Sequence, residues 1–251
     1  MYSNVYQSLM TFKSGAIVPE PDAAESCTFL GGKLQTYQCK LRDDLTFSDG
    51  KKVTAEDVKY SFDRMLEIKT DVGPSVLFPP SLKNVVTEGR LITFNLSARD
   101  ATFPQKIATG AGAIVEKDAY SEHKLRADNK VTGSGPYVLK SYEPGVKAEL
   151  VPNSRYKGAV TKSGGPVTVR YYKQSEDLLA AWKSGQVDVT HRQLPPSTLA
   201  NLNPGDSDKR VTEPTPPRSA TSSSTSARTP PRSPTAGSAR PSRRSSTAVR
   251  W

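Results

Sequence analysis

Apolar positions along residues 1–213 change period several times, and each change marks an element. Val58, Phe62, Met65 and Leu66 recur at helical spacing, which predicts an amphipathic helix with these side chains in the core. Its start is legible: Thr54 can cap the first turn, and Asp57 three residues later completes a reciprocal box. Before it, the alternation Leu41-Arg42-Asp43-Asp44-Leu45-Thr46-Phe47 predicts a strand, closed by the turn Ser48-Asp49-Gly50-Lys51. Two further strands, Val85-Val86 and 91–96, flank the turn Thr87-Glu88-Gly89-Arg90. The prolines of 73–80 predict a loop, and a short helix is expected after Thr102-Phe103-Pro104, ending at Gly110. Ala113-Ile114-Val115 is a short strand candidate.

Farther on, Gly133-Ser134-Gly135-Pro136-Tyr137 reads as a tight turn entering a strand, and 148–151 and 167–172 read as two more. A helix is expected from Ser175, burying Leu178, Leu179 and Trp182 and stopping at Gly185. Val187-Asp188-Val189 reads as a strand and 196–202 as a short helix. Strands and helices mix irregularly, so the fold class is α/β with a mixed sheet. No internal repeat is present.

Cys27 and Cys39 flank a segment with Gly31-Gly32 at its middle and β-formers on both sides. A hairpin centred on Lys33 sets Cys27 opposite Cys39 and Phe29 opposite Tyr37, within disulfide reach. A disulfide, and with it an extracytoplasmic location, is the expectation. The alternative is two buried free thiols, or a register that does not pair them.

Composition breaks at Glu213. Residues 214–251 hold ten Ser, six Thr, seven Pro and seven Arg, with no Lys and no acid. Such a stretch cannot bury enough apolar surface to offset its ordering entropy, so it is expected to be disordered. The body uses nineteen Lys to nine Arg, whereas the tail uses only Arg. That switch is what GC-rich codons read in the wrong frame would produce, and the tail is read as a frame-shifted end. The formal charge of +10 divides into +7 for the tail and 10 − 7 = +3 for the body, so the body gives no reason to expect nucleic acid. Residues 1–10 carry no basic leader and no apolar signal core. Read literally they suggest a cytoplasmic chain; read as a truncation they say nothing about compartment.

Catalytic constellations are missing from the pattern. His123 lies in the polar run Ser121-Glu122-His123-Lys124, and His191 has no nucleophile or acid spaced to form a known motif with it. Two histidines without paired cysteines make no zinc site. No phosphate-cradling Gly-rich loop ends in Lys-Ser/Thr, and Gly133-Ser134-Gly135 leads into a strand where a dinucleotide turn would lead into a helix. The expectation is a protein that is not an enzyme, with no cofactor.

The order of several segments resembles one family, the family 5 extracellular solute-binding proteins that serve ABC importers. The segments are Asn4-Val5-Tyr6-Gln7-Ser8-Leu9, then Leu41-Arg42-Asp43-Asp44-Leu45-Thr46-Phe47-Ser48-Asp49-Gly50, then Val53-Thr54-Ala55-Glu56-Asp57-Val58. Ala101-Thr102-Phe103-Pro104, the Gly133–Tyr137 turn with Asn153 to Gly158 behind it, and Ala180-Ala181-Trp182-Lys183-Ser184-Gly185-Gln186-Val187-Asp188-Val189 continue the likeness.

The resemblance implies a lobe of the type II periplasmic-binding-protein kind, which closes with a second lobe over a peptide or other small solute. It implies a monomer that delivers its solute to an ABC permease and ATPase, outside the cytoplasm. An export signal, a first strand and the second lobe of the family have no counterpart in this sequence, so 1–213 is expected to be most of one lobe with its extra subdomain. By position, Tyr2, Ser3 and Asn4 are candidate solute contacts at the start of that lobe. Phe78 is a candidate from a loop of the extra subdomain, and His191, Arg192 and Gln193 are candidates near the crossover to the other lobe. Arg192 could fork a carboxylate or a carbonyl, or be a solvated surface arginine. A second class of function stays open beside this one: an interaction protein whose Arg/Ser-rich tail binds nucleic acid.

Overall fold

The computed structural model describes residues 2–68, 73–78, 81–160, 164–190 and 194–202, without the side chains of Tyr2, Ser3 and Pro74. The tail 214–251 lies outside them. In chain order the elements are α1 (Tyr2–Val5), β1 (Met10–Thr11), β2 (Glu20–Pro21), β3 (Ala24–Phe29), β4 (Thr36–Leu41), α2 (Ala55–Ile68), β5 (Leu82–Glu88), β6 (Leu91–Leu96), α3 (Phe103–Ile107), β7 (Tyr137–Glu143), β8 (Lys147–Pro152), β9 (Val167–Arg170), α4 (Ser175–Lys183) and α5 (Pro196–Ala200). Short 3₁₀ turns occupy Pro74–Leu77, inside the expected loop, and Gly110–Gly112, after α3.

A four-stranded sheet in the order β3-β4-β6-β5 carries the main core. Alternation explains which face is inside: Tyr37, Cys39 and Leu41 of β4 and Ile92, Phe94 and Leu96 of β6 are buried in step. Helix α2 covers that face with Val58 and Phe62, both fully buried. Rings then interlock: Phe62 lies 4.9 Å from Phe94 and 5.6 Å from Phe78, and Phe103 lies 5.2 Å from Phe94 and 5.7 Å from Tyr37. Tilted and edge-on pairs of this kind add about 0.5–1.5 kcal/mol each beyond their buried area.

The expected start of α2 is present in atomic detail. The Thr54 N–H donates to Asp57 Oδ2 at 2.9 Å, and the Asp57 N–H donates to Thr54 Oγ1 at 3.2 Å. The other Asp57 oxygen accepts the Lys117 N–H at 3.0 Å, tying the next loop to the helix start. The cysteine hairpin has the expected register, with Cys27 opposite Cys39 and Phe29 opposite Tyr37. The two sulfurs are bonded at 2.00 Å.

A separate three-stranded sheet, β7-β8-β9, follows. A bulge between Leu139 and Ser141 shifts the alternation of β7, so Tyr137, Leu139 and Tyr142 share one face with Ala148, Leu150, Val167 and Val169. Val5 of α1 is buried against Ala148 and Leu150 on this face.

Several expectations need correction. In place of one mixed sheet, the described strands form three sheets in which every pairing is antiparallel. Residues 42–47 are not a strand. Arg42 folds its guanidinium back onto Asp44 through two hydrogen bonds of 3.0 and 2.9 Å, and only Thr46 makes an isolated bridge, to Lys52. Leu45 and Phe47 are buried from this irregular segment all the same. The segment 113–115 is extended but unpaired, because its amides are taken by Gln7 O and Ser61 Oγ, two acceptors on different elements. Residues 187–189 form no strand, and Val189 is 82% exposed. In α4 the buried residue is Ala181, while Leu178, Leu179 and Trp182 are half-buried.

Candidate functional site

The site is assembled around α1, and α1 is held by glycines. The carbonyl of Val5 accepts the Gly135 N–H at 2.9 Å. A Cβ on Gly133 would lie 2.1 Å from that same oxygen, and one on Gly135 would lie 2.6 Å from the Val5 carbonyl carbon. Only hydrogen fits at both places, which is why the turn reads Gly-Ser-Gly. Asn153, from the end of β8, locks the turn: its Nδ2 donates to Gly135 O at 2.8 Å and its N–H to Pro136 O at 2.8 Å. The Ser48 N–H donates to Gly133 O at 2.9 Å, so the Ser-Asp-Gly turn is tied to the same place. Three stretches far apart in sequence therefore fix one short backbone segment.

With α1 so placed, Asn4 stands exposed at the rim of a hollow of about 460 Å³. The walls are Tyr137, Leu150, Val167, Val169 and Tyr171. None of these is charged. The Tyr171 ring meets Tyr142 edge-on at 6.3 Å, and burial raises the Tyr171 phenol above its ordinary pKa. An apolar, aromatic wall with one amide at its rim has the make-up and size of a small-molecule site, whose volumes run roughly 300–1,000 Å³. A second depression, beside Ser8, Thr109 and Tyr156, has room of about 20 Å³, enough for one water.

Of the residues expected at a solute site, Asn4 is at the hollow. Tyr2 and Ser3 lie in α1, but their side chains are outside the described residues, as are His191, Arg192 and Gln193 altogether. Phe78 is a correction. It is fully buried, with ring contacts to Phe62 and Phe103, and offers no surface to a solute. The wall residues were not singled out from the sequence. Their signal was the alternation Val167-Thr168-Val169-Arg170-Tyr171, which puts three apolar side chains on one face.

Comparison with known proteins decides the family. The model of the bacterial extracellular solute-binding proteins, family 5 Middle, matches residues 18–229. The chain belongs to this family. The Probable D,D-dipeptide-binding periplasmic protein DdpA of Escherichia coli (strain K12) is 34% identical over 194 residues, covering 73% of this family 5 chain and 37% of the relative. The structure of DppA from Helicobacter pylori in complex with the peptide STSA matches with a TM-score of 0.62 at 22% identity, over 73% of this chain and 40% of that one. NikA from Brucella suis in complex with Fe(III)-EDTA matches with a TM-score of 0.67 at 19% identity, over 79% and 40%. The last two show the fold, and the family 5 chain spans less than half the length of each of the three. The family consists of extracellular binding proteins, and no helix among the described residues is long and apolar enough to cross a membrane.

Proposed function

We propose that this chain is the first-lobe portion of the substrate-binding component of an ABC importer for peptides. The observation that carries the reading is the 34% identity to a dipeptide-binding relative across most of the chain. The hollow beside Asn4 supports it, since an uncharged aromatic wall suits a side chain and an amide suits a peptide group. Tyr2, Ser3, Asn4 and the 191–193 segment are the proposed contacts. Closure of a second lobe over the solute would then be read by a permease and its ATPase. The disulfide supports an oxidising, extracytoplasmic setting. In this reading 1–213 is the part of the solute-binding domain present and 214–251 is a disordered tail. The family match runs past the compositional break at Glu213, to residue 229.

The test is calorimetric titration of a di- to pentapeptide library into a protein extended at both ends to the relatives' length. Peptide binding that weakens on Asn4→Ala is the expected result. A protein that ignores peptides and takes up a nickel–histidine complex would overturn the peptide reading.

A further inference from the structure

Asp22 follows β2 and is buried, 5% exposed, with its backbone hydrogen-bonded to Leu9. Its carboxyl reaches across to the segment 156–160, between β8 and β9. One oxygen, Oδ1, accepts from the Ala159 N–H at 2.8 Å, from Gln7 Nε2 at 3.2 Å and from the Tyr156 hydroxyl at 3.4 Å. Gln7 Nε2 also donates to Lys157 O at 3.2 Å, and the Tyr156 hydroxyl accepts the Val160 N–H at 3.0 Å. The segment has been shaped to admit the carboxyl: a Cβ on Gly158 would lie 2.4 Å from Asp22 Oδ1 and 2.3 Å from the Tyr156 oxygen.

We propose that Asp22 is a proton-sensitive clasp, holding the segment 156–160 against the amino-terminal strands tightly when its carboxyl is protonated and less tightly when it is ionised.

The charges around it decide the direction. From the 42–44 turn, Arg42 is the nearest cation, but its fork is engaged by Asp44, which it holds below the usual carboxylate range. Arg42 Nη1 reaches only the Asp22 backbone oxygen, at 3.5 Å. From the clasped segment, Lys157 Nζ lies 3.7 Å from Asp44, and Tyr156 is held neutral, its phenol pushed up to about 12 chiefly by burial. From the Gln7 side only a neutral amide faces the carboxyl. Burial therefore outweighs the three donors and Arg42, and the Asp22 pKa is raised above 3.8. An acid whose pKa is raised in the closed state binds its proton more tightly there than in the open state. The penalty for closing is absent below the open-state pKa and complete above the raised one, so closure weakens as pH climbs through that window.

Hydrogen exchange of the Ala159 amide in the full chain, corrected for intrinsic rate and measured from pH 4 to pH 8, reads the clasp directly. Protection should fall as pH rises, by about tenfold for each pH unit by which the pKa is raised, while amides of the β4–β6 pair do not follow it. Asp22→Asn keeps an acceptor and removes the titration, so its Ala159 protection should be flat across the range. Unchanging protection in the wild-type protein, or a pH dependence that survives in Asp22→Asn, would overturn the proposal.

Discussion

Gly133→Ala tests how α1 is held. The new Cβ would sit 2.1 Å from the Val5 carbonyl oxygen, where ordinary van der Waals contact begins at 3.4 Å, so the two backbones must part by about 1.3 Å (3.4 − 2.1). Neither side can yield cheaply. The atom in the way is main chain, and the same oxygen is the acceptor for Gly135 N–H at 2.9 Å. Parting them stretches that bond beyond use, a loss of roughly 0.5–1.5 kcal/mol. It also draws Val5, 3% exposed, off Ala148 and Leu150, at a cost of about 1–1.5 kcal/mol if half to most of its burial is lost. The sum is about 2–3 kcal/mol, or a fall in Tm of roughly 4–12 °C for a domain of this size. Thermal unfolding followed by circular dichroism measures it. Gly32→Ala is the control, because a Cβ there meets nothing within 4 Å, and it should move stability by less than about 0.5 kcal/mol. If Gly133→Ala melts with the wild-type protein, the close approach of the two backbones does not hold α1.

In exported, unreduced protein, alkylation and intact-mass measurement should find no free thiol on Cys27 or Cys39, and reduction should cost about 3 kcal/mol for a closed loop with a sequence separation of 12. Two freely alkylated thiols would refute the pairing. Limited proteolysis should trim the chain back to near Arg210 without moving the thermal transition, since 214–251 offers nothing to pack; slow cleavage with protected tail amides would show that its composition has been misjudged. The 251-residue chain should bind di- to pentapeptides far more weakly than a protein extended to the relatives' length; calorimetry finding equal affinities would mean that one lobe suffices.

Where one residue's neighbours in sequence decided its place, the sequence was readable. The box of Thr54 and Asp57 and the register of the cysteine hairpin are local matters, and both are present as expected. Alternation failed where a side chain outbid the ladder. Leu41 to Phe47 alternates well, but the Arg42 fork onto Asp44 closes a turn that a strand cannot contain. Phe78 failed for a different reason. A proline-rich loop suggests exposure, yet its one large ring completes the cluster of Phe62 and Phe103, a contact set by residues 16 and 25 positions away. The hollow was least legible, because Asn4, Tyr137, Leu150 and Tyr171 meet only after the Gly133–Gly135 turn has seated α1 on the second sheet. The glycines of that turn were visible from the start; their partner, the Val5 carbonyl, was not.

The same hollow explains why family membership and useful affinity are separate matters for this chain. Its wall includes Val167 at 43% and Tyr171 at 38% exposure, so the surface a solute would cover already faces water. A side chain laid on it removes apolar area from water at about 25 cal/mol per Å², and a contact of some 100 Å² yields roughly 2.5 kcal/mol. Against this stand at least about 4 kcal/mol for the solute's lost translation and rotation, and about 0.5–1.5 kcal/mol for each side chain it orders. One face, with a single amide at its rim, therefore leaves a free peptide nearly indifferent to binding. A second face changes the balance because it adds contacts to a ligand whose freedom has already been lost, and because it removes the remaining water from the peptide's polar groups as it supplies their partners. Affinity in such a site lies in the closing of the two faces, and the Asn4 face determines mainly which side chain is accepted.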